Sequence, residues 1–260
     1  MELKQVFPIF EEGRILKRDA LDLLRDYAPE FASLLFEEHG SGVMAGFRIR
    51  EQGGTVFVGP GILKDRDSFF CMRREAAVSF DQYGRAVRIV LRRIGEHMSA
   101  DFREERYELS LEPVRESGEG EYELGRFLLE SGARLRAGED YRDFHDLVTE
   151  FNTLNPVHIR YACRGGHTLS PLVMRMYGKG VLRAPSAEMA DIAFGLACLN
   201  GGHVSGEAIR EYLSAKGETA GRGGGNRELY EGLAGIYARL VSGGGARRRP
   251  KQTGGKTLIE

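Results

Sequence analysis

The spacing of apolar residues changes twice along this chain of 260 residues. It follows a helical period before Gly42, a period of two from there to about residue 137, and a helical period again from about residue 138. Short polar linkers join the segments of period two, which excludes the long crossover helices that a parallel sheet needs. The pattern therefore predicts an α+β protein with an antiparallel β module between two helical parts.

Residues 1–41 are predicted to form an N-terminal helical segment. In "DALDLLRDY", Asp19 is a suitable N-cap and the apolar residues share one helix face. In "PEFASLLFEEHGSG", Pro29 suits the first turn of a second helix, which Gly40 or Gly42 would end. Two short helices with almost no linker between them predict a helical hairpin.

Residues 42–137 are predicted to form an antiparallel β domain. Two strands flank Gly53 and Gly54, a pair that favours a tight hairpin turn. Five more strands are predicted from the segments "SFFCMRR", "AAVSF", "AVRIVLRRI", "RYELSLEPV" and "YELGRFLLE". Regular spacing of short strands is typical of a β-sandwich or a barrel-like module.

Residues 138–242 are predicted to form a small all-α module that docks on neighbouring subunits. Several of its helices would begin at Ser or Asn caps, such as Ser186 and Ser205. The stretch "NPVHIRYACRGGHTLSP" is interpreted as a loop that leads into this module, and "GETAGRGGGN" as a flexible connector. The expected helices are "EDYRDFHDLVTEFN", "SPLVMRMYGKGV", "SAEMADIAFGLACLNG", "SGEAIREYLSAKG" and "NRELYEGLAGIYARLVSG". Residues 243–260 should be a disordered basic tail, because they contain almost nothing to bury.

Composition limits the classes to which the chain can belong. Its formal net charge is −1, so the whole chain has no general attraction to nucleic acid or membranes. The sequence contains no apolar run long enough for a membrane span, and its N-terminus lacks the pattern of a signal peptide. The odd number of cysteines, Cys71, Cys163 and Cys198, argues against a disulfide framework. We expect synthesis and folding in the cytoplasm.

Two motifs in the tail suggest phosphate contact, and both are incomplete. "GGKT", which contains Lys256, lacks the framing glycine of a phosphate-binding loop, since Pro250 occupies that position. It also lacks a following helix, because only three residues remain. "RRRPK" could neutralise phosphates, but no aromatic residue interleaves with it to stack on bases. We assign no nucleotide site, and nucleic acid is an unlikely partner.

Metal and catalytic candidates are few. Cys163, His167, Cys198 and His203, with His158 as a spare ligand, are residue types that bind zinc, but their spacing matches no standard site. His145 lies between acidic residues and could act as a general base, yet no nucleophile motif accompanies it. We therefore assign no catalytic, metal or cofactor site to these residues.

One longer stretch resembles a known class of protein. "GVMAGFRIREQGGTVFVGPGILKDRDSFF" resembles a segment near the N-termini of phage-tail and tail-like baseplate or fibre-attachment proteins. "AVRIVLRRI" and "YELGRFLLESGARL" resemble later strands of such proteins, so that the resemblance covers about residues 20 to 137. The following helical part departs from this class, many members of which continue into fibrous segments.

The resemblance implies a non-enzymatic structural component of a phage tail or a related contractile injection particle, at the baseplate or a fibre-attachment position. Its partners would be other baseplate proteins and further copies of itself, and its final location would be the assembled particle. Two alternatives remain. The chain could be a small nucleic-acid-binding accessory protein that uses its helical module and basic tail, or a hydrolase that uses His145 or the cysteines and histidines.

Overall fold

The computed structural model describes residues 1–201, 203–218 and 225–243. The predicted basic tail, apart from its first residue, lies outside these residues, and so do "GGKT", "RRRPK" and most of the predicted connector. The described chain is of mixed α+β type, with an N-terminal helix, several mainly antiparallel sheets and a C-terminal region of four helices.

The N-terminal region contains one helix, so the predicted helical hairpin is wrong. Helix α1 spans Arg18–Leu35 and continues through Pro29. Its N-cap is Lys17, and Asp19 lies in the first turn, where the helix dipole favours an acidic residue. Pro29 has no N–H to donate to the carbonyl of Arg25. Because this helix is exposed to solvent, water can hydrate that carbonyl and the helix need not end there.

Eleven strands form three sheets among the described residues. One sheet has the order β11-β10-β1-β4-β5, and the others have the orders β2-β3-β6 and β8-β7-β9. The strands are β1 Gly42–Gly46, β2 Ile49–Gln52, β3 Thr55–Val58, β4 Gly61–Asp65, β5 Ser68–Met72, β6 Ala76–Ser79, β7 Ala86–Met98, β8 Arg103–Pro113, β9 Glu121–Leu128, β10 Tyr161–Cys163 and β11 Gly166–Thr168. The hairpin and the five later strands predicted in residues 42–137 are confirmed.

The β2–β3 hairpin shows why glycine is needed at its turn. Gly53 and Gly54 have φ angles of 59° and 73°, both in the left-handed region. A two-residue loop with both φ values positive matches the right-handed twist of the strands that it joins. The pairing of Gln52 with Thr55 follows directly from this short turn.

The stretch predicted to be a loop supplies two strands, so that prediction is wrong. Strand β10 pairs in parallel with β1 through Val43 and Tyr161, and β11 pairs with β10 in an antiparallel hairpin. Residues from both sides of the predicted boundary at 137 therefore form the five-stranded sheet. The division of the chain into domains at that boundary stays a prediction.

The prediction of a helix for "EDYRDFHDLVTEFN", at the start of the C-terminal region, is also wrong. The structure has two 3-10 turns there, Gly138–Asp140 and His145–Val148. Oδ1 of Asp143 accepts the backbone N–H groups of His145 at 2.9 Å and Asp146 at 3.1 Å. Short acidic side chains that bond nearby N–H groups compete with the helical hydrogen bonds.

Four helices complete the described chain: α2 Pro171–Val181, α3 Met189–Asn200, α4 Gly206–Ala215 and α5 Asn226–Val241. Ser205 caps α4 as predicted, and its Oγ accepts the N–H of Ala208 at 3.1 Å. Ser186 is not a cap, since its hydroxyl donates to the carbonyl of Leu240 at 2.7 Å. Helices α2 and α3 touch closely at Gly178, where an added Cβ would lie 2.6 Å from the carbonyl oxygen of Gly195.

The buried apolar residues form two clusters. One lies among the helices and contains Phe144, Tyr177 and Leu233, and the other lies among the sheets and contains Val56, Ile89 and Leu124. The cluster among the sheets also contains Leu154 and Ile159, which lie between β9 and β10 in residues 129–160, here called the connecting stretch.

A group of opposite charges ties the strands of the β8-β7-β9 sheet together. Arg88 of β7 is fully buried, and its guanidinium lies 3.0 Å from Glu112 of β8 and 2.8 Å from Glu121 of β9. Ser117 accepts a further hydrogen bond from Arg88 at 2.9 Å. Arg92 of β7 donates to the same two carboxylates. Because a buried charge without partners is costly, this group favours a single register of the three strands.

We expect Arg88→Met to lower the free energy of unfolding by about 3 kcal/mol, because it removes a buried partner of two carboxylates. Arg106→Met is the matched control in β8, since Arg106 and its partner Glu104 are both exposed and should contribute about 0 to 1 kcal/mol. Urea denaturation followed by circular dichroism measures both changes. Equal losses in the two variants would contradict the assigned role of Arg88.

The same group should make stability depend on acid. Hydrogen bonds from Arg115, and further ones from Arg88 and Arg92, hold the pKa of Glu121 well below its ordinary value of 4.5. A lowered folded pKa stabilises the protein above the unfolded pKa, and this contribution is lost as the pH falls below about 4.5. We expect Glu121→Gln to flatten the fall in unfolding free energy between about pH 5 and pH 3. An unchanged pH profile would contradict this assignment.

Candidate assembly surface

The apolar side chains of α1 lie on one face that nothing in the described chain covers. The residues Ala20, Leu21, Leu24, Tyr27, Ala28, Phe31, Leu34 and Leu35 recur at steps of three and four, which places them on one side of the helix. A helix with such a stripe normally buries it against a core. Here no residue of α1 is buried, and the exposed fraction is 56% for Phe31 and 75% for Leu34.

The opposite face of α1 is polar and satisfies its charges within the helix. Arg25 lies 2.9 Å from Asp22 and 2.7 Å from Asp26. The hydrogen bond from Arg25 lowers the pKa of Asp26. This face needs no protein partner, so the apolar face is the one that a partner would cover.

Residues 1–17, here called the N-terminal arm, extend the apolar surface beyond the helix. They form no helix or strand, and the exposed fraction of Ile15 reaches 92%. The large apolar side chains exposed along the arm are Met1, Leu3, Val6, Phe7, Ile9, Phe10, Ile15 and Leu16. Monomeric proteins rarely expose a continuous apolar surface of this size, which usually marks an interaction site.

The helix joins the body of the protein at its C-terminal end. Phe36, which directly follows α1, packs against Phe69 of β5 with ring centroids 5.9 Å apart. Arg164 and Glu38 form an ion pair at 2.5 Å close by. Burial lowers the pKa of His39, the next residue of this junction. The apolar face is thus attached to the sheets at one end.

The helical region exposes a smaller apolar patch. Met189, Ile192 and Leu196 of α3 are exposed and lie at steps of three and four on one side of that helix. The sequence interpretation placed docking in this region, and it missed the N-terminal surface. The amphipathic pattern of α1 was visible, but a pattern alone predicts a face to be buried and does not predict what buries it.

The structure does not bring the candidate zinc ligands together at one site. Cys163 is buried in β10, His167 lies in β11, and Cys198 is fully buried in α3, where burial raises its pKa to about 12. A cysteine buried in this way behaves as a small apolar side chain. His203 is exposed after α3, and burial lowers the pKa of His158 in the connecting stretch. In the described ranges, no three His, Cys, Asp or Glu side chains are placed to hold a metal ion.

His145 lies at the start of a 3-10 turn, and its ring packs against that of Tyr237 with centroids 5.2 Å apart. Its side chain makes no hydrogen bond with any residue that the structure describes. A general base would need a partner that orients it and a group to deprotonate. No described residue orients His145 in this way, and the absence of a catalytic role for it stays a prediction.

A small polar cavity of about 190 Å³ lies beside the buried carboxylate of Asp65. The hydroxyl of Tyr122 donates to Oδ1 of Asp65 at 2.7 Å, and the hydroxyl of Tyr107 donates to Oδ2 at 3.2 Å. Burial raises the pKa of Tyr107 to about 12. Since both oxygens of Asp65 already accept hydrogen bonds, this carboxylate serves to hold β4 against β8 and β9.

None of the described helices combines the length and the apolar character that crossing a bilayer requires.

We expect the purified protein to carry no stoichiometric zinc, and chelators to leave its melting temperature unchanged, because the described candidate ligands are not grouped at one site. Elemental analysis and thermal denaturation with and without a chelator measure this. One zinc per chain that is lost in Cys163→Ser but retained in Cys71→Ser would contradict the expectation.

No protein-family model matches this chain, and no curated protein matches it. Solved structures do resemble it. A chain of the type VI secretion system TssK-TssF-TssG baseplate subcomplex has a TM-score of 0.46 and 10% identity, covering 93% of this chain and 100% of that one. The crystal structure of TssK has a TM-score of 0.43 and 13% identity, covering 92% of this chain and 72% of that one. A chain of the baseplate complex from the type VI secretion system has a TM-score of 0.42 and 9% identity, covering 92% of this chain and 100% of that one.

The expected resemblance to baseplate proteins of contractile injection systems is therefore confirmed as a structural resemblance. Because the identities and the TM-scores are low, the function of this chain has to be argued from its own residues.

Proposed function

We propose that this chain is a non-enzymatic structural component of a phage tail or of a related contractile injection particle, at the baseplate or a fibre-attachment position. The observation that carries the proposal is the uncovered apolar surface formed by the N-terminal arm and α1. The proposed partners are other proteins of the baseplate and further copies of this chain.

Physical chemistry favours a partner on this surface. Removal of apolar surface from water stabilises a folded or bound state by about 25 cal/mol per Å². The Leu, Phe and Tyr side chains of this face remain in water and do not gain this stabilisation. A helix of 18 residues is about 27 Å long, which suits one side of a standard protein interface. A partner that covered the arm and α1 together would bury these side chains and gain the free energy of apolar burial.

The rest of the described chain suits a rigid platform. Its buried charged groups, such as Arg88 and Asp65, are engaged with other side chains of the fold. The resemblance of residues 20–137 to phage-tail proteins supports the same function. The nucleic-acid alternative depends on the basic tail, which lies outside the described residues, and no specific observation favours it.

Co-sedimentation with particles tests the proposal. Full-length chain would be produced in its host, and particles would be isolated by ultracentrifugation and probed for the chain. We expect the wild type to sediment with particles that contain sheath and tube proteins. Leu24→Lys combined with Phe31→Lys should reduce its amount in particles at least about tenfold, since each lysine would have to be desolvated in the interface.

The matched control is Glu30→Lys combined with Ser33→Lys, which places two lysines on the polar side of the same helix. Both residues are exposed. The control should enter particles at the level of the wild type, and circular dichroism should show both double variants folded. Absence of the wild type from every particle would overturn the proposed function. Equal incorporation of both variants would show that α1 is not the assembly surface.

A further inference from the structure

A groove lies where the sheets meet the helical region. It has a volume of about 590 Å³ and is bordered by β1, the β1–β2 connection, the connecting stretch and the start of α2. Apolar side chains form much of its lining, among them Met44, Ile49, Tyr161 and Leu172. Such a groove is large enough to accept more than one aromatic side chain.

Positive charge surrounds this groove. Arg48 and Arg175 both line it and are exposed, and neither forms an ion pair with a described residue. His203 lies on the same lining, and Glu139 is the one carboxylate among the described residues that line the groove. Elsewhere in the body many arginines are paired with carboxylates, as Arg88, Arg92 and Arg136 are. The groove therefore presents an apolar floor with two available guanidinium groups.

The N-terminal arm has the complementary chemistry. The run "VFPIF", Val6 to Phe10, is exposed and apolar, and Glu11 and Glu12 follow it directly. Glu11 forms an ion pair with Arg14 at 2.7 Å that is exposed to solvent and therefore contributes little, whereas Glu12 forms no ion pair with a described residue. An extended segment of this kind would place aromatic side chains in an apolar groove and carboxylates beside guanidinium groups, which form charge-assisted hydrogen bonds.

The arm starts at the end of α1 that is distant from the anchor of the helix on β5. The groove of the same chain is lined by no residue of the arm. Helix α1 is anchored at its C-terminal end by Phe36, so its first residue, Arg18, lies about 27 Å along the helix axis from that anchor. The arm begins at this distant end and is exposed along its length.

We propose that the N-terminal arm of one copy docks in the groove of a second copy of this chain, with Phe7 or Phe10 in the apolar part and Glu11 and Glu12 at Arg48 and Arg175. This contact between copies stands independently of membership in an injection particle. It assigns a specific surface to self-association, which the uncovered face of α1 alone does not.

Photo-crosslinking between isotopically distinct copies tests the contact. Full-length chain with p-benzoylphenylalanine in place of Phe7 is prepared in ¹⁴N and ¹⁵N forms, and the two are mixed, irradiated and analysed by mass spectrometry. We expect crosslinks from an arm peptide of one isotope to groove peptides of the other, within residues 44–49 or 171–175. Crosslinks confined to copies of the same isotope would show docking within one chain and overturn the proposal, and so would crosslinks only to α1.

Charge reversal supplies the second measurement. Arg48→Glu with Arg175→Glu should reduce the crosslinks between copies at least tenfold, and so should Glu11→Arg with Glu12→Arg. A mixture of these two double variants should restore them, because reversed arms then meet reversed grooves. Arg85→Glu with Arg183→Glu is the matched control, since both arginines are exposed, lie outside the groove lining and form no ion pair with a described residue.

The outcomes separate this proposal from the proposed function. The crosslinking uses purified chain without particles, so its failure would overturn arm docking and leave the co-sedimentation result standing. Unchanged crosslinking in both charge-reversed variants, or no restoration in their mixture, would also overturn arm docking. Successful crosslinking with a chain that never sediments with particles would keep the contact and overturn the baseplate assignment.

Discussion

The stretch between Phe151 and Thr168 has to fit two cores at once, and Asn226 holds it in that position. The side-chain amide of Asn226, at the start of α5, donates to the carbonyl of Ile159 at 2.7 Å and to that of Thr168 at 3.1 Å. Both bonds are buried, while Oδ1 of Asn226 has no partner among the described residues. Leaving such an acceptor unpaired costs about 1 to 3 kcal/mol, so the two donated bonds have to offset it. This amide therefore connects α5 to β11 of the five-stranded sheet and to the residue two positions before β10.

The body of the protein, which consists of the sheets and the C-terminal helices, differs from the N-terminal region in how its side chains are covered. In the body, the buried charged side chains of Asp65 and Arg88 bond to other side chains, and the apolar residues form two buried clusters. The arm and α1 have an apolar face of similar composition without any cover. This asymmetry supports the proposal that another molecule stabilises the N-terminal region.

Much of the fold was predictable where a local pattern determines local structure. The glycine turn at Gly53 and the long alternating strands β7 and β8 follow from sequence alone, as does the Ser205 cap. Strands β10 and β11 were missed because three residues are too few to show alternation. The helical hairpin failed because an exposed helix tolerates Pro29, and the helix around Asp143 failed because that side chain competes for backbone N–H groups.

The candidate surface was less predictable, for a different reason. The amphipathic spacing of Leu24, Tyr27 and Phe31 is the same in a helix that packs on its own core and in one that waits for a partner. Likewise, the groove brings Arg48 together with Arg175, which are distant in sequence and become neighbours only through the sheet and α2. Such sites depend on which segments the fold leaves uncovered, and no local pattern records that.

The parallel pairing of β1 with β10 has a consequence for synthesis. Val43 leaves the ribosome long before its partner Tyr161, while β4, the other neighbour of β1, follows it almost at once. One edge of β1 therefore stays open throughout the translation of the intervening strands, and open edges are templates for pairing between nascent chains. The late arrival of a three-residue strand, fixed afterwards by the amide of Asn226, closes that edge. We therefore expect the five-stranded sheet to be completed late in folding, because β1 and β10 are distant in sequence and contacts between distant residues form slowly.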